Sequence, residues 1–187
     1  MTKRLFLAIN LPNEIKAQLA DLVLKLVKAN KNKPIKWVGE DNFHLTLHFL
    51  GDVTEEKISE ISKTLEPIVS NFPTLNFSLS NLINAFPDLN NPKVIFLEMK
   101  ELNDGKTIKL QQTIGTILRS LGFETDPRPF RLHLTLGRIK FKTILQIPNY
   151  QLPISNFQIN SIDLMESALT PSGPIYNIVK QYKFQQL

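Results

Sequence analysis

The sequence predicts an α+β fold with largely antiparallel strands, and two observations lead to that class. Strand-like and helix-like segments follow the order strand, helix, strand, strand, helix, strands, helix, strands, which lacks the strict alternation of a doubly wound sheet. The tetrapeptide His-Leu-Thr-Leu occurs twice, at residues 44–47 and 133–136, each time near a strand and a helix of similar size. At 187 residues, 42% of them hydrophobic, the chain suits one domain or two small lobes that share a cleft. An internal duplication is therefore a hypothesis.

The first part of the chain combines short strands with two helices. The predicted strands are residues 4–9, 35–38 and 43–51. The third of them should stop at Gly51-Asp52, after which Thr54 is placed to cap a helix. The apolar faces of the two helices are Ile15, Leu19, Leu22 and Leu26 in the first, and Ile58, Ile61 and Leu65 in the second.

The second part of the chain is rich in strands. The predicted strands are residues 74–86, 93–100, 131–141, 157–169 and 176–184. A third helix lies within residues 104–122 and ends at Gly122. Turn residues at 87–92 and 171–174 separate neighbouring strands.

Composition excludes several classes of chemistry. Without cysteine the chain has no disulfide, no thiolate nucleophile and no cysteine-type metal site. The net charge of +5 favours an anionic partner, although a solvated, helix-stabilising lysine surface explains the charge equally well. No window approaches the roughly 20 apolar residues of a membrane helix. We therefore expect a cytoplasmic monomer with no membrane partner.

The repeated tetrapeptide predicts an acid–base site. Side chains alternate along a strand, so in each copy both leucines face the core while His44 and Thr46, or His133 and Thr135, share the opposite face. Two such strands side by side bring two imidazoles and two hydroxyls around one pocket. A neutral imidazole accepts a proton and a protonated one donates a proton, which suits cleavage of a phosphodiester without a cofactor, a metal ion or a covalent intermediate.

Two simpler explanations compete with that site. The repeat is a chance recurrence in leucine-rich strands, or His44 and His48 use their four-residue spacing to chelate zinc. On a strand that spacing spans roughly 13 Å, which is too far for one ion, so His48 is expected to be structural or at the cleft rim. Histidine is scarce, at three residues, and the copies lie 133 − 44 = 89 residues apart in comparable positions. Both facts favour the functional reading.

The flanking residues extend the match over nearly the whole chain. They are RLFLAINLP at the start, WVGEDNFHLTLHFLGDV and RPFRLHLTLGR around the two motifs, and LMESALTPSGPIY near the end. With these flanks the chain resembles the 2H phosphoesterases, in particular the bacterial and archaeal RNA 2',3'-cyclic phosphodiesterases, also called 2'-5' RNA ligases. One departure is Leu132, where the family often has proline before the second histidine.

The resemblance implies a single bilobal domain over residues 1–187, in which two β-sheets with outer helices face each other with pseudo-twofold symmetry. The two motifs would line the central cleft. His44 would be the proton donor to the leaving 3' oxygen of a terminal 2',3'-cyclic phosphate, and His133 the proton acceptor that activates water. Thr46 and Thr135 would bind phosphate, and the product would be a 2'-phosphate. ATP-independent 2'-5' ligation of RNA is related chemistry in the reverse direction.

Further residues are assigned by position. By the resemblance Arg138 is a phosphate-binding residue, but its parity is opposite to that of His133, so it reaches the cleft only if the strand ends or bulges near Gly137. Arg131 shares the face of His133 and is either a second phosphate ligand or an exposed strand residue. Tyr176 and Phe49 are candidates for a base or ribose contact, with aromatic packing as the alternative, and Trp37 has the same ambiguity.

Two other functions remain open from the sequence. The same two histidines also suit a small-molecule cyclic nucleotide phosphodiesterase, because they do not specify how much RNA is bound. An RNA-binding module that keeps the cleft and the charge but has little activity belongs to a different class. The leading expectation is hydrolysis of an RNA or nucleotide that ends in a 2',3'-cyclic phosphate.

Overall fold

The computed structural model describes residues 2–102, 104–153, 156–171 and 173–185, and it confirms the α+β class. The helices are α1 Asn13–Ala29, α2 Glu55–Val69 and α3 Lys106–Ser120, with a short 3-10 turn at Glu40–Asn42. The strands are β1 Thr2–Asn10, β2 Ile35–Trp37, β3 His44–Thr54, β4 Leu75–Phe86, β5 Val94–Glu101, β6 His133–Ile139, β7 Asn156–Ile159, β8 Ser161–Thr170 and β9 Gly173–Lys183. No helix in these ranges is long and apolar enough to cross a membrane.

The strands form two antiparallel sheets. The first sheet has the order β3-β1-β8-β9, and the second has the order β2-β6-β5-β4-β7. Each sheet draws strands from both ends of the chain, because β2 leaves the N-terminal region to join the second sheet and β8 and β9 return to the first. The sheets are therefore interlocked and do not correspond to two consecutive halves of the sequence.

Several predicted strand boundaries are wrong. β6 covers only His133–Ile139 of the predicted 131–141, and β9 begins at Gly173 instead of residue 176. The third strand does not stop at Gly51-Asp52 but continues to Thr54: Gly51, at a positive φ of 73°, follows a bulge at Leu50, and pairing with β1 resumes from Gly51 to Thr54. The predicted strand 157–169 is two strands, β7 in the second sheet and β8 in the first. The chain changes sheets at Asn160, whose carbonyl accepts a hydrogen bond from the Phe184 N–H at 2.8 Å. In the predicted turn at 171–174, Ser172 lies outside the described residues.

The helices bury the faces that their spacing predicts. The buried positions are Ile15, Leu19, Leu22 and Leu26 of α1 and Ile61 and Leu65 of α2, whereas Ile58 is only partly buried. Thr54 caps α2 as expected, because its hydroxyl accepts a hydrogen bond from the Lys57 N–H at 3.4 Å. Helix α2 lies against α3, β3 and β9, and α3 also lies against β3. The outer side of the first sheet is thereby covered.

Residues 141–153 have no regular secondary structure and are held to α1 by one buried side chain. Asn30, at the C-terminal end of α1, donates from Nδ2 to the Gln146 carbonyl at 2.7 Å and accepts the Gln146 N–H on Oδ1 at 2.9 Å. The same Nδ2 donates to the Leu26 carbonyl at 2.9 Å. The Asn30 amide therefore replaces the pairing that a neighbouring strand would otherwise supply.

We expect Asn30→Ala to lower the free energy of unfolding by about 1–2 kcal/mol, because both backbone groups of Gln146 lose their partner. Urea unfolding measures the change. The matched control is Asn71→Ala, since exposed Asn71 likewise donates to the carbonyl four residues earlier, at 2.7 Å, but holds no second segment. Equal effects of the two substitutions would contradict the bracing role.

Candidate active site

Both motif strands contain one extra residue immediately after the threonine. In β3, Thr46 pairs with Ala8 and His48 with Leu7, so Leu47 has no partner on β1. In β6 the equivalent unpaired residue is Leu136, because Thr135 pairs with Phe96 and Gly137 with Ile95. Such a β-bulge reverses the face of the residues that follow it, in β3 as far as a second bulge at Leu50.

The bulges decide which residues reach the cleft. Phe49 and Arg138 follow the bulges and lie on the same face as the histidines and threonines, whereas His48 and Gly137 turn into the core. The bulge that Arg138 needs in order to reach the cleft is therefore present, at Leu136 beside Gly137. The four motif leucines are buried as predicted: Leu45, Leu47, Leu134 and Leu136.

The two motif imidazoles are held in the same way. His44 Nδ1 lies 2.8 Å from the carbonyl oxygen of Asn42, and His133 Nδ1 lies 2.8 Å from that of Arg131, in each case two residues earlier. A carbonyl only accepts, so each Nδ1 carries the hydrogen and each neutral Nε2 is a hydrogen-bond acceptor. His44 Nε2 lies 2.9 Å from the Thr46 hydroxyl. Backbone carbonyls thus set the tautomer of both neutral rings.

Aromatic rings support both imidazoles. His44 lies 5.0 Å from Phe6 and 5.2 Å, edge to face, from Tyr176, measured between ring centroids. His133 lies 5.1 Å from Phe86 and 5.3 Å from Phe96, also edge to face. These contacts restrict ring rotation and remove water from one side of each imidazole.

A cavity of about 730 Å³ lies between the two sheets. Its walls include His44, Thr46, Thr135 and Arg138, together with Phe49, Trp37 and Tyr176. His133 is not among the wall residues, but it is close enough for its charge to lower the pKa of His44. The structure therefore gathers three of the four motif side chains on one cavity and places the fourth beside them.

Burial keeps both imidazoles neutral. It lowers the pKa of His44 from 6.5 to about 4, opposed by the Asn42 carbonyl and reinforced by the charges of Lys16, Arg138 and His133. Burial likewise lowers the pKa of His133, with Arg138 and Arg131 adding to the effect and the Arg131 carbonyl opposing it. An anion in the cavity would act in the opposite direction on both groups.

The structure separates the remaining candidates. Phe49 is 68% exposed on the cavity wall, and Tyr176 combines a cavity position with its contact to His44. Arg131 is exposed, precedes β6 and does not line the cavity, and its guanidinium lies 5.8 Å from the centroid of the Phe86 ring. His48 is buried, with Nε2 2.8 Å from the Gln111 carbonyl of α3. His48 is therefore structural.

Several cavity residues were missed by sequence reasoning, among them Asn42, Arg4 and Lys36. Asn42 supplies the carbonyl that orients His44 and donates from its own Nδ2 to the Pro174 carbonyl at 3.1 Å. Arg4 and Lys36 add positive charge to the walls. Charged residues beside short apolar runs were the available signal, but only the pairing of strands shows that they face one cavity. Within the described ranges no group of three or more acidic, histidine or cysteine side chains is placed to hold a metal ion.

Comparisons with known proteins agree with this geometry. The sequence model of the family described as "LigT like Phosphoesterase" matches residues 9–96 and 101–176. RNA 2',3'-cyclic phosphodiesterase of Thermotoga maritima is 33% identical, covering 97% of this chain and 96% of that protein. The protein of the same name from Methanocaldococcus jannaschii is 35% identical, covering 96% and 99%. Escherichia coli LigT complexed with 3'-AMP superposes with a TM-score of 0.81 and 26% identity over 100% of both chains. The chain belongs to the LigT-like phosphoesterase family.

Proposed function

We propose that this protein hydrolyses RNA ends that carry a 2',3'-cyclic phosphate, leaving a 2'-phosphate. The observation that carries the proposal is the pair of identically braced imidazoles, His44 and His133, beside a cavity with two threonines and an arginine. The names of the relatives support the substrate, and the 3'-AMP complex of E. coli LigT supports a nucleotide phosphate as ligand.

In this reaction His44 donates the proton from Nε2 to the 3' oxygen as the bond between that oxygen and phosphorus breaks. His133 Nε2 accepts a proton from the water that attacks phosphorus. Thr46, Thr135 and Arg138 hold the non-bridging oxygens as negative charge develops on them, which is the electrostatic part of the rate enhancement. Neither step requires a nucleophile or cofactor beyond these side chains and water.

His44 must carry a proton although burial lowers its pKa. The phosphate anion supplies the compensating charge, because an anion within hydrogen-bond distance favours the protonated imidazole. The Thr46 hydroxyl, 2.9 Å away, donates to the neutral Nε2; once Nε2 is protonated, the hydroxyl donates to the phosphate instead, which leaves the Nε2–H for the 3' oxygen. Substrate binding thus generates the acid that the reaction needs.

The outer parts of the substrate lie against the remaining walls. Phe49 and Tyr176 provide flat surfaces for the terminal base or ribose. Arg131, outside the cavity, adds positive charge on the side of His133. The interlocked sheets support a single bilobal domain. We further propose that it acts as a monomer. With the proton states of the two histidines exchanged, the same site would also serve 2'-5' ligation without ATP as a secondary activity.

We expect His44→Ala and His133→Ala each to lower kcat by about 10²–10⁴-fold, because each removes one proton-transfer group. The assay is hydrolysis of a short RNA that ends in a 2',3'-cyclic phosphate, in EDTA. His48→Gln is the matched control, since the buried third histidine should affect stability and not turnover. Undiminished turnover in either motif variant would contradict the two-histidine mechanism.

The pH dependence of kcat/KM should be bell-shaped with a maximum below pH 6.5. This quantity reports the free enzyme, where burial lowers both histidine pKa values, so both limbs move to lower pH than for two ordinary imidazoles. The two apparent pKa values belong to the coupled pair. The kcat profile should lie at higher pH, because the bound anion raises both pKa values. A kcat/KM maximum above pH 7 is the contrary result.

Thr46→Val and Thr135→Val should lower kcat by about 10–10³-fold with a smaller change in KM, because the hydroxyls act mainly on charge that develops during the reaction. Thr→Ser at the same positions keeps the hydroxyl and should retain most of the activity. Steady-state kinetics separate the two parameters. A change in KM alone would assign the threonines to ground-state binding.

A further inference from the structure

Two positively charged side chains face each other across the β2–β6 ladder. Lys36 and Arg138 are direct partners in the antiparallel register, both are exposed, and both line the cavity. Side chains in such a pair start about 5 Å apart, and like charges directly opposite each other are destabilising. In the described ranges neither residue forms an ion pair, since the ion pairs lie elsewhere: Lys3–Glu166, Lys57–Glu60, Arg128–Asp126 and Lys180–Glu66. An anion between them would remove the repulsion.

The two cations point to different parts of the cavity. The charge of Arg138 lowers the pKa values of both His44 and His133, which places it on the side of the reaction. Lys36 lies on the edge strand β2 and extends across to the β8–β9 hairpin of the first sheet. A Cβ added at Gly173 of that hairpin would lie 3.1 Å from Lys36 Nζ and 3.4 Å from its Cε. Lys36 therefore spans one end of the cavity, farther from the histidines than Arg138.

An RNA strand presents a row of phosphates. When the cyclic phosphate occupies the site between the histidines, the next phosphate is the diester that joins the terminal nucleotide to its 5' neighbour. That diester carries one negative charge on its non-bridging oxygens, for which an ammonium with three donors is a suitable partner. A mononucleoside cyclic phosphate has no such group.

We propose that Lys36 binds this second, subterminal phosphate and thereby makes the enzyme select RNA strands of two or more nucleotides over mononucleoside cyclic phosphates. The proposal rests on the proposed function for the position of the first phosphate. It distinguishes an RNA-processing enzyme from the small-molecule phosphodiesterase that the two motifs alone leave open.

The kinetic experiment compares a nucleoside 2',3'-cyclic phosphate with a dinucleotide that ends in the same group. Wild type should have the higher kcat/KM for the dinucleotide. Lys36→Gln should lower kcat/KM for the dinucleotide by about tenfold, the loss expected for one charge-assisted hydrogen bond, and change the mononucleotide by less than about twofold. Lys140→Gln is the matched control, because Lys140 is exposed two residues beyond Arg138 but does not line the cavity.

Equal losses on the two substrates would overturn the proposal, since they would place Lys36 on the scissile phosphate or in a structural role. No loss on the dinucleotide, or the same loss in Lys140→Gln, would also overturn it by showing that Lys36 acts only through net charge or not at all.

A binding experiment keeps the proposal testable without turnover. A dinucleotide 3'-phosphate should bind more tightly than a nucleoside 3'-phosphate, and Lys36→Gln should abolish most of that difference. Isothermal titration calorimetry on wild type and Lys36→Gln gives the dissociation constants of both ligands. If neither cyclic substrate is hydrolysed, the proposed function fails, but the binding ratio still decides the role of Lys36. Equal dissociation constants for the two ligands in wild type would refute it.

Discussion

A β-strand presents every second residue to one face, and each motif strand breaks that alternation directly after its threonine. Without the break at Leu47, His48 would enter the cleft and Phe49 would enter the core. Without the break at Leu136, Arg138 would face the core and the cavity would lose a cation. The shape and charge of the cavity therefore depend on two single-residue irregularities at equivalent positions of the two motif strands.

Each irregularity also creates a packing problem behind the sheet, and the protein solves the two differently. His48 enters the core beside α3, where Gly115 leaves room for the ring and the Gln111 carbonyl accepts its Nε2–H. Burial lowers its pKa and keeps it neutral. In the other strand Gly137 itself provides the room, because a Cβ there would lie 2.9 Å from the Trp37 ring. Glycine is required in both places: Gly115 is the neighbour that makes room for the His48 ring, and Gly137 is itself the residue that turns inward.

Local periodicity was sufficient for much of the structure. The helix faces, the burial of the motif leucines and the common face of His44 and Thr46 follow from spacing within one element, which the sequence displays directly. It also predicted that His48 is structural or at the cleft rim, and the structure shows the buried, structural position. For Arg138, strand parity showed that a bulge near Gly137 was needed for the side chain to reach the cleft, but it could not show that the bulge exists.

What could not be predicted depends on pairing between distant segments. The change of sheet at Asn160 interrupts an alternating pattern that is continuous in the sequence, because either sheet accepts the same apolar positions. The Asn42 carbonyl orients His44 by backbone geometry, which leaves no compositional trace. Lys36 becomes notable only when its partner on β6 is known to be Arg138. Register and topology carry this information, and a single sequence does not display them.

Phe49 and Arg138 occupy the same position after the bulge in the two motif strands, yet one is an aromatic hydrocarbon and the other a cation. A ligand that carries both an anionic group and a flat apolar group therefore meets unlike partners at these two positions, and only one orientation directs the charge to the guanidinium and the flat surface to the ring. The two bulges lie at equivalent places in their strands, but the side chains after them give the cavity a polarity.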